Sequence, residues 1–295
     1  MDVEMKIQEP INRVTRKQKL KNYSKHPGSF LLALLTKLAI LLTVLALGFI
    51  LIYILVKGIP NLSTDLFALK YTTENVSMLP AIINTLIITL LSLCIAGPIG
   101  VFSAIYLVEY AKKGNKLVEV CRVTAESLTG IPSIVYGLFG MLFFVTTLKC
   151  GYSLLAGALP LSIMVLPVIM RTTEEALLAV PNSFREGSFG LGAGKLRTIF
   201  KIVLPSAVPG ILAGVILAIG RMVGETAALI YTAGTVAEIP SSIMSSGRTL
   251  AIHMYSLSKE GLYTDQAYAT AVVLLIVVVL INMLSNFVAK KFTKK

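Results

Sequence analysis

Two side chains of opposite charge interrupt an otherwise apolar stretch late in the chain. Arg221 and Glu225 lie four residues apart in the segment ILAGVILAIGRMVGETAALIYTAG, which starts at Ile211. On a continuous helix this spacing places both side chains on one face, a single turn apart. A guanidinium suits phosphate-like anions because its N–H groups match two oxygens at once. The pair is therefore a candidate anion pathway; the competing interpretation is a mutually neutralised pair that only fixes packing.

The segment around this pair is one of six apolar runs. The chain is 55% hydrophobic and only 14% charged over 295 residues, which is typical of membrane proteins. Each run is close to the roughly 20 residues that a spanning helix needs. The sequence thus predicts an all-α, polytopic transmembrane bundle with spans at about 30–56, 80–107, 128–148, 154–170, 206–231 and 267–289.

The positive charges indicate an orientation. The net charge is +12, and 21 of the 27 lysines and arginines lie in the N-terminal tail, in the first turns of the first span, in loops 108–127 and 171–205, or after position 289. Basic residues favour the cytoplasmic side of a membrane protein. We therefore expect a multi-pass membrane protein with both termini in the cytoplasm, and no binding to nucleic acid.

This arrangement of spans and charges predicts that the chain has three regions. We expect a basic cytoplasmic tail at 1–29, a first anchor helix at 30–56 that is too long for a signal peptide, and a transmembrane domain at 80–289. Within that domain, Gly210, Gly214 and Ala218 recur every four residues, a spacing that lets helices approach closely.

Loop 171–205 has the pattern of a docking element. Its second half is amphipathic, since Leu196, Ile199, Phe200 and Val203 recur at helical spacing among basic residues. Its four glycines before Lys195 do not form a nucleotide-binding loop, because Phe189 and Leu196 occupy positions where such a loop requires glycine and a hydroxyl residue. We therefore expect that the chain does not bind ATP itself, and we expect no cofactor, no metal site and no catalytic residues.

This loop resembles the cytoplasmic pattern of ATP-binding cassette (ABC) importer permeases: Glu-Ala-Ala, three residues, Gly, nine residues, Ile, one residue, Leu-Pro. The spacing is matched at every step, although glycine and serine replace the two alanines. The resemblance implies a type I (MetI-like) fold and a loop that couples to an ATPase subunit. The coupling residues would be Glu186, Gly187, Ser188, Gly192, Leu196, Ile199, Phe200, Ile202, Leu204 and Pro205.

The segments GRMVGETAAL and RTTEEALLAVP are similar to the phosphate-specific (Pst) branch of that family, among its A-type subunits. This resemblance implies that Arg221, Glu225 and Arg171 contact the substrate pathway, and that phosphate is the substrate. It also implies three partners: a homologous second permease subunit, ABC ATPase subunits and an extracytoplasmic phosphate-binding protein.

Three other functions stay open at this point. The first is a permease of the same class for sulfate, molybdate or phosphonate, because an arginine in the pathway does not by itself identify which oxyanion is transported. The second is an ion-coupled secondary transporter, for which internal repeats and coupling-ion ligands would be expected. The third, a membrane-embedded enzyme, is disfavoured because no cluster of nucleophile, base and acid is visible.

Overall fold

The computed structural model describes residues 27–112 and 114–293, so the predicted basic tail lies almost wholly outside the described residues. All regular elements in these two ranges are helical, as the long apolar runs predict. The chain divides after Ile54 into two compact units. The first unit contains most of helix α1 (Pro27–Gly58), whose apolar side chains are exposed. Its Thr36 and Thr43 hydroxyls donate to backbone carbonyls one turn earlier, which satisfies them without water.

The described residues of the second unit form ten further α-helices, two short 3-10 helices (Ile59–Asn61 and Thr64–Phe67) and three π-helical turns. The helices are α2 (Leu79–Ile105), α3 (Lys116–Thr129), α4 (Ser133–Gly140), α5 (Leu154–Leu178), α6 (Asn182–Gly190), α7 (Lys195–Thr198), α8 (Leu204–Val223), α9 (Ala227–Ile230), α10 (Leu250–Glu260) and α11 (Thr264–Thr293). The π-helical turns are Tyr106–Tyr110, Met141–Thr147 and Ile199–Val203.

Five helical segments among the described residues are long and apolar enough to cross a membrane, and a sixth span arises if one bent pair is counted. That pair is α3 with the segment Ser133–Thr147, and the bend between them is 101°. The predicted third span at 128–148 is therefore wrong at its start. Gly130 and Pro132 separate the two helices, because the residue before a proline avoids helical geometry.

Helices α2, α5 and α8 form the centre of the second unit. Ile88, Leu161, Met164 and Met222 are almost completely buried there. Serines also join α2 to α5, since the Ser92 hydroxyl donates to the Ala158 carbonyl and the Ser162 hydroxyl donates to the Ser92 carbonyl, each at 3.2 Å.

The row of small residues on α8 packs against α5 as its spacing predicts. A Cβ added to Gly210 would lie 2.6 Å from the Ala176 Cβ, and one added to Gly214 would overlap the Thr172 side chain. A similar approach joins α4 to α9. There, a Cβ on Gly137 would lie 2.8 Å from the Ala228 Cα. At these contacts the helices meet at distances that exclude any larger residue.

Candidate functional site

Arg221 and Glu225 do not share a helix. Helix α8 ends at Val223 and is capped at Gly224, so Glu225 follows the break and precedes the short helix α9. Glu225 is only 9% exposed, and its Oε1 accepts the Ala228 N–H at 3.1 Å. No ion pair between the two side chains is found within the described ranges. The prediction of a pair one turn apart on one helix is therefore wrong.

Glycine explains this break. Gly224 has a high conformational cost in a helix, and the Glu225 carboxylate satisfies a free N–H of the turn that follows. The predicted fifth span at 206–231 accordingly ends as a continuous helix at Val223. Glu225 is thus placed as a helix cap at a break inside an apolar segment.

Arg221 lines an open groove of about 630 Å³ between α8 and α11. The α8 side of this groove is mostly apolar, whereas α11 contributes the amides of Asn282 and Asn286. These two asparagines were not predicted as site residues. The available signal was their four-residue spacing in an apolar helix, which places two amides on one face. The groove therefore combines one guanidinium with two neutral hydrogen-bonding groups.

Arg171 lies in a different place, at the end of the bundle where α5 leads into the coupling loop (residues 171–205). Its guanidinium is 3.5 Å from Glu175 and 3.9 Å from Glu126, and it is mostly exposed. The adjacent Arg122 forms an ion pair with Glu174. These residues line a cavity of about 260 Å³ between α3 and α5. The structure thus separates Arg171 from Arg221 and surrounds it with carboxylates.

The coupling loop folds as two short helices around a glycine turn. Helix α6 ends at Gly190, and Gly192 adopts a φ of 80°, which is accessible mainly to glycine. Helix α7 then continues through the turn Ile199–Val203 directly into α8. A pocket of about 310 Å³ opens beside the turn, and its lining includes Ser188, Gly192 and Ile202 together with Leu191, Ala193, Arg197 and Lys201.

The predicted docking face of this loop is divided by the structure. Ile199 and Val203 are 1% and 0% exposed, because they pack with Leu107 and Leu177 in the chain's own core. Their assignment to an exposed docking face is therefore wrong. Leu196 and Phe200 remain exposed. Three further apolar side chains add to the exposed surface: Phe184, Phe189 and Leu191, the last of which is 92% exposed. Glu186, Gly187 and Pro205 are also exposed, while Leu204 is partly buried.

A buried polar cluster lies outside the spanning helices, between the segment after α1 and helix α10. The Arg248 guanidinium lies 4.6 Å from the centre of the Tyr71 ring, and this ring meets His253 edge-on at 6.2 Å. His253 is completely buried. Burial, and then the neighbouring Arg248 charge, lower the pKa of His253 to about 3. The imidazole is therefore neutral at ordinary pH.

The comparisons with known proteins agree with this architecture. Residues 96–295 match the family model described as the binding-protein-dependent transport system inner membrane component. The chain belongs to this family and is the membrane-spanning permease subunit of an ABC importer. Within that class it is a homologue of the phosphate transport permease PstA.

The relatives cover most of the chain. The PstA protein of Pasteurella multocida is 35% identical over 87% of this chain and 92% of its own length. The probable ABC transporter permease YqgI of Bacillus subtilis is 33% identical over 82% of this chain and 88% of its own length.

Two solved structures show the same fold at low sequence identity. A bacterial alginate ABC transporter aligns with a TM-score of 0.67 at 16% identity over 92% of this chain and 98% of its own chain. The MetNI methionine transporter in an inward-facing conformation aligns with a TM-score of 0.56 at 22% identity over 73% of this chain and 94% of its own. The MetI-like fold expected from the coupling loop is confirmed.

Proposed function

We propose that this permease subunit translocates inorganic phosphate and that Arg221 is the cation that the anion meets inside the membrane. The observation that carries the proposal is the groove that Arg221 lines together with Asn282 and Asn286. An arginine near the bilayer centre costs about 2.5–3.5 kcal/mol on insertion scales, so such a side chain usually faces an aqueous cavity. The names of the PstA relatives support phosphate as the anion.

Two further charged residues are proposed for the same pathway. Glu225 lies at the helix break four residues beyond Arg221, where its buried carboxylate contributes a negative charge at the end of α8. Arg171 lies where the coupling loop begins, and there a departing anion would displace Glu126 and Glu175, the carboxylates that now neutralise its charge.

The coupling loop is the proposed docking site for a separate ABC ATPase subunit, which would hydrolyse the ATP. Its exposed apolar side chains support this role, because a large apolar surface outside the membrane spans indicates a protein interface. This surface consists of Phe184, Phe189, Leu191, Leu196 and Phe200. Ile199 and Val203 would act from inside, since they connect the loop to the core of the bundle.

A second permease subunit and an extracytoplasmic phosphate-binding protein complete the proposed importer. The Arg221 groove is open on one side, and exposed apolar residues such as Leu217 and Leu280 lie on the helices that form it. A homologous subunit packed on this face would enclose the pathway. The binding protein would deliver phosphate from the other side of the membrane.

The proposed location is the bacterial inner membrane with the coupling loop in the cytoplasm, because the positive charges concentrate on that side. Cysteine labelling in a cysteine-free background tests this orientation. Leu191 and Leu262 are 92% and 83% exposed and therefore suit the test. A probe confined to the outside should modify Leu262→Cys and leave Leu191→Cys unmodified. The reverse pattern contradicts the orientation.

Uptake measurements test the substrate and the energy source. Membrane vesicles that contain the importer should accumulate radiolabelled phosphate only with ATP and the binding protein. Sulfate, molybdate and phosphonate should compete weakly. Strong competition by one of them would assign the permease to that anion, and uptake without ATP would favour an ion-coupled transporter.

A further inference from the structure

A single arginine of the coupling loop joins three helices. Arg185, on α6, reaches Glu109 in the π-helical turn Tyr106–Tyr110 at the end of α2. Its Nε and Nη2 both donate to the Glu109 Oε1, at 3.0 Å and 2.7 Å. The two side chains are only 15% and 9% exposed. An ion pair that is removed from water and has two hydrogen bonds is held more firmly than a surface pair.

The same guanidinium also binds the end of α5. Its Nη1 donates to the Val180 carbonyl at 2.8 Å, and its Nη2 donates to the Leu177 carbonyl at 2.9 Å. Leu177 lies in the last turn of α5 and Val180 just beyond it, so the guanidinium binds carbonyls at the end of this helix. Arg185 therefore fixes α6 to the ends of α2 and α5 at once.

The second half of the coupling loop reaches the same turn. The Lys195 Nζ lies 4.8 Å from the centre of the Tyr110 ring. Leu107, in the same turn, packs in a core cluster with Ile199 and Val203. The turn Tyr106–Tyr110 thus receives a polar contact from each half of the loop, but only the contact of Arg185 is buried.

We propose that Arg185 and Glu109 are the positioning pair that transmits displacement of the coupling loop to α2 and α5. The inference rests on the proposed docking of an ATPase on this loop. When a subunit moves the exposed apolar surface of α6, the buried pair prevents α6 from sliding past the ends of the two spanning helices. ATP hydrolysis is then converted into a change at the membrane pathway because α2 and α5 move with α6.

Proteoliposomes that contain the complete importer, with phosphate as the probe, allow the pair to be tested. Three variants form a double-mutant cycle: Glu109→Gln, Arg185→Gln and the double variant. Glu119→Gln is the matched control, since Glu119 is an exposed carboxylate on α3. The readouts are phosphate uptake per ATP hydrolysed and co-purification of the ATPase subunit. A purely structural role would lower the amount of assembled complex and leave this ratio unchanged.

We expect Glu109→Gln to co-purify with the ATPase and hydrolyse ATP, but to lower the ratio by about five-fold or more, the lower end of typical coupling between sites. The double variant should be no worse than Arg185→Gln, because the pair acts as a unit. An unchanged ratio in Glu109→Gln, or losses that multiply in the double variant, overturns the inference. If Arg185→Gln fails to assemble, the ratio of phosphate uptake to ATP hydrolysis in Glu109→Gln alone tests the inference. Absence of phosphate uptake by the wild-type importer would contradict the proposed substrate instead.

Discussion

The Ser188 hydroxyl lies 2.8 Å from the Thr198 hydroxyl and joins the two helices of the coupling loop across the Gly192 turn. Both residues are almost completely buried. Serine occupies a position where the importer pattern has alanine, and the structure gives the physical reason why it is tolerated: the buried hydroxyl has a hydrogen-bonding partner. The hydrogen bond to Thr198 thus compensates for the polar side chain that replaces alanine in the pattern.

This contact predicts a small effect for Ser188→Ala and a large one for Ser188→Leu. Alanine removes one hydrogen bond, but Thr198 still donates to the Gly194 carbonyl at 3.2 Å, so we expect a loss of about 1 kcal/mol or less. Leucine does not fit at a position that is 4% exposed, and it should abolish co-purification with the ATPase. Ser183→Leu, at an exposed position on the same helix, is the control. Equal behaviour of the two leucine variants would contradict the packing described.

Leu191→Glu should weaken docking of the ATPase without affecting the fold. Leu191 is 92% exposed, so a charge there costs the free chain nothing, whereas an apolar interface would have to bury it. Co-purification of the ATPase with membranes that contain equal amounts of permease measures the effect. Leu262→Glu is a matched change in the loop between α10 and α11, and we expect it to leave docking unchanged. Normal docking of Leu191→Glu would remove this residue from the interface.

Arg221→Gln should reduce phosphate uptake, and Arg221→Lys should also impair it because lysine lacks the planar fork. Hydrogen bonds to charged groups contribute about 1.5–3 kcal/mol, so the loss should be roughly ten- to hundred-fold for glutamine. Initial uptake rates at equal amounts of assembled complex provide the measurement. Lys259→Gln removes an equivalent charge from an exposed site and serves as the control. Near wild-type uptake by Arg221→Gln would exclude this residue from the pathway.

Glu225→Gln separates the two roles of this side chain. The amide oxygen can still accept the Ala228 N–H, so we expect normal assembly, whereas Glu225→Leu loses the cap and should assemble poorly. Reduced uptake by fully assembled Glu225→Gln would therefore report the negative charge, and this is the outcome we expect. Normal uptake by the glutamine variant would leave Glu225 as a helix cap alone.

Because His253 is buried in its neutral form, we expect the folded protein to be less stable at acidic pH. Unfolded histidine takes up a proton near pH ~6.5, whereas the pKa of the buried side chain is about 3. The contribution of neutral His253 to the free energy of unfolding is therefore fully present above about pH 6.5. Below that pH it falls by about 1.4 kcal/mol per pH unit. The apparent Tm of the purified protein should fall between about pH 6.5 and about pH 5. His253→Gln should flatten this dependence; if His26→Gln does so instead, the prediction is contradicted.

The sequence was most informative where spacing alone determines geometry. The small-residue row on α8 predicted close helix packing, and the coupling pattern predicted the importer family that the comparisons show. Amphipathic periodicity was less decisive, because it marks an apolar face without stating what covers it. Ile199 and Val203 have the spacing of a docking face but pack in the chain's own core. Only the tertiary structure distinguishes these two cases.

Two features of the site depend on contacts that the sequence does not specify. The break after Val223 follows from a glycine and from a carboxylate that caps the next turn, and similar glycines occur inside unbroken helices, as Gly214 does. Asn282 and Asn286 become part of the Arg221 groove only because α11 packs beside α8. Periodicity placed the two amides on one face, but it did not identify the neighbouring helix.

The approach of Gly137 to Ala228 has a mechanical consequence. A Cβ at Gly137 would lie 2.8 Å from the Ala228 Cα and 3.0 Å from the Ala227 carbonyl oxygen, so the two backbones meet without intervening side chains. Because no side chain lies between the two backbones, this contact cannot adjust by a change of rotamer. We therefore expect α4 and α9 to move together, and a displacement that carries α9 away from α8 changes the backbone torsions of residues 224–226, which connect these two helices. The segment that bears the Glu225 carboxylate is thus also the joint of this part of the molecule.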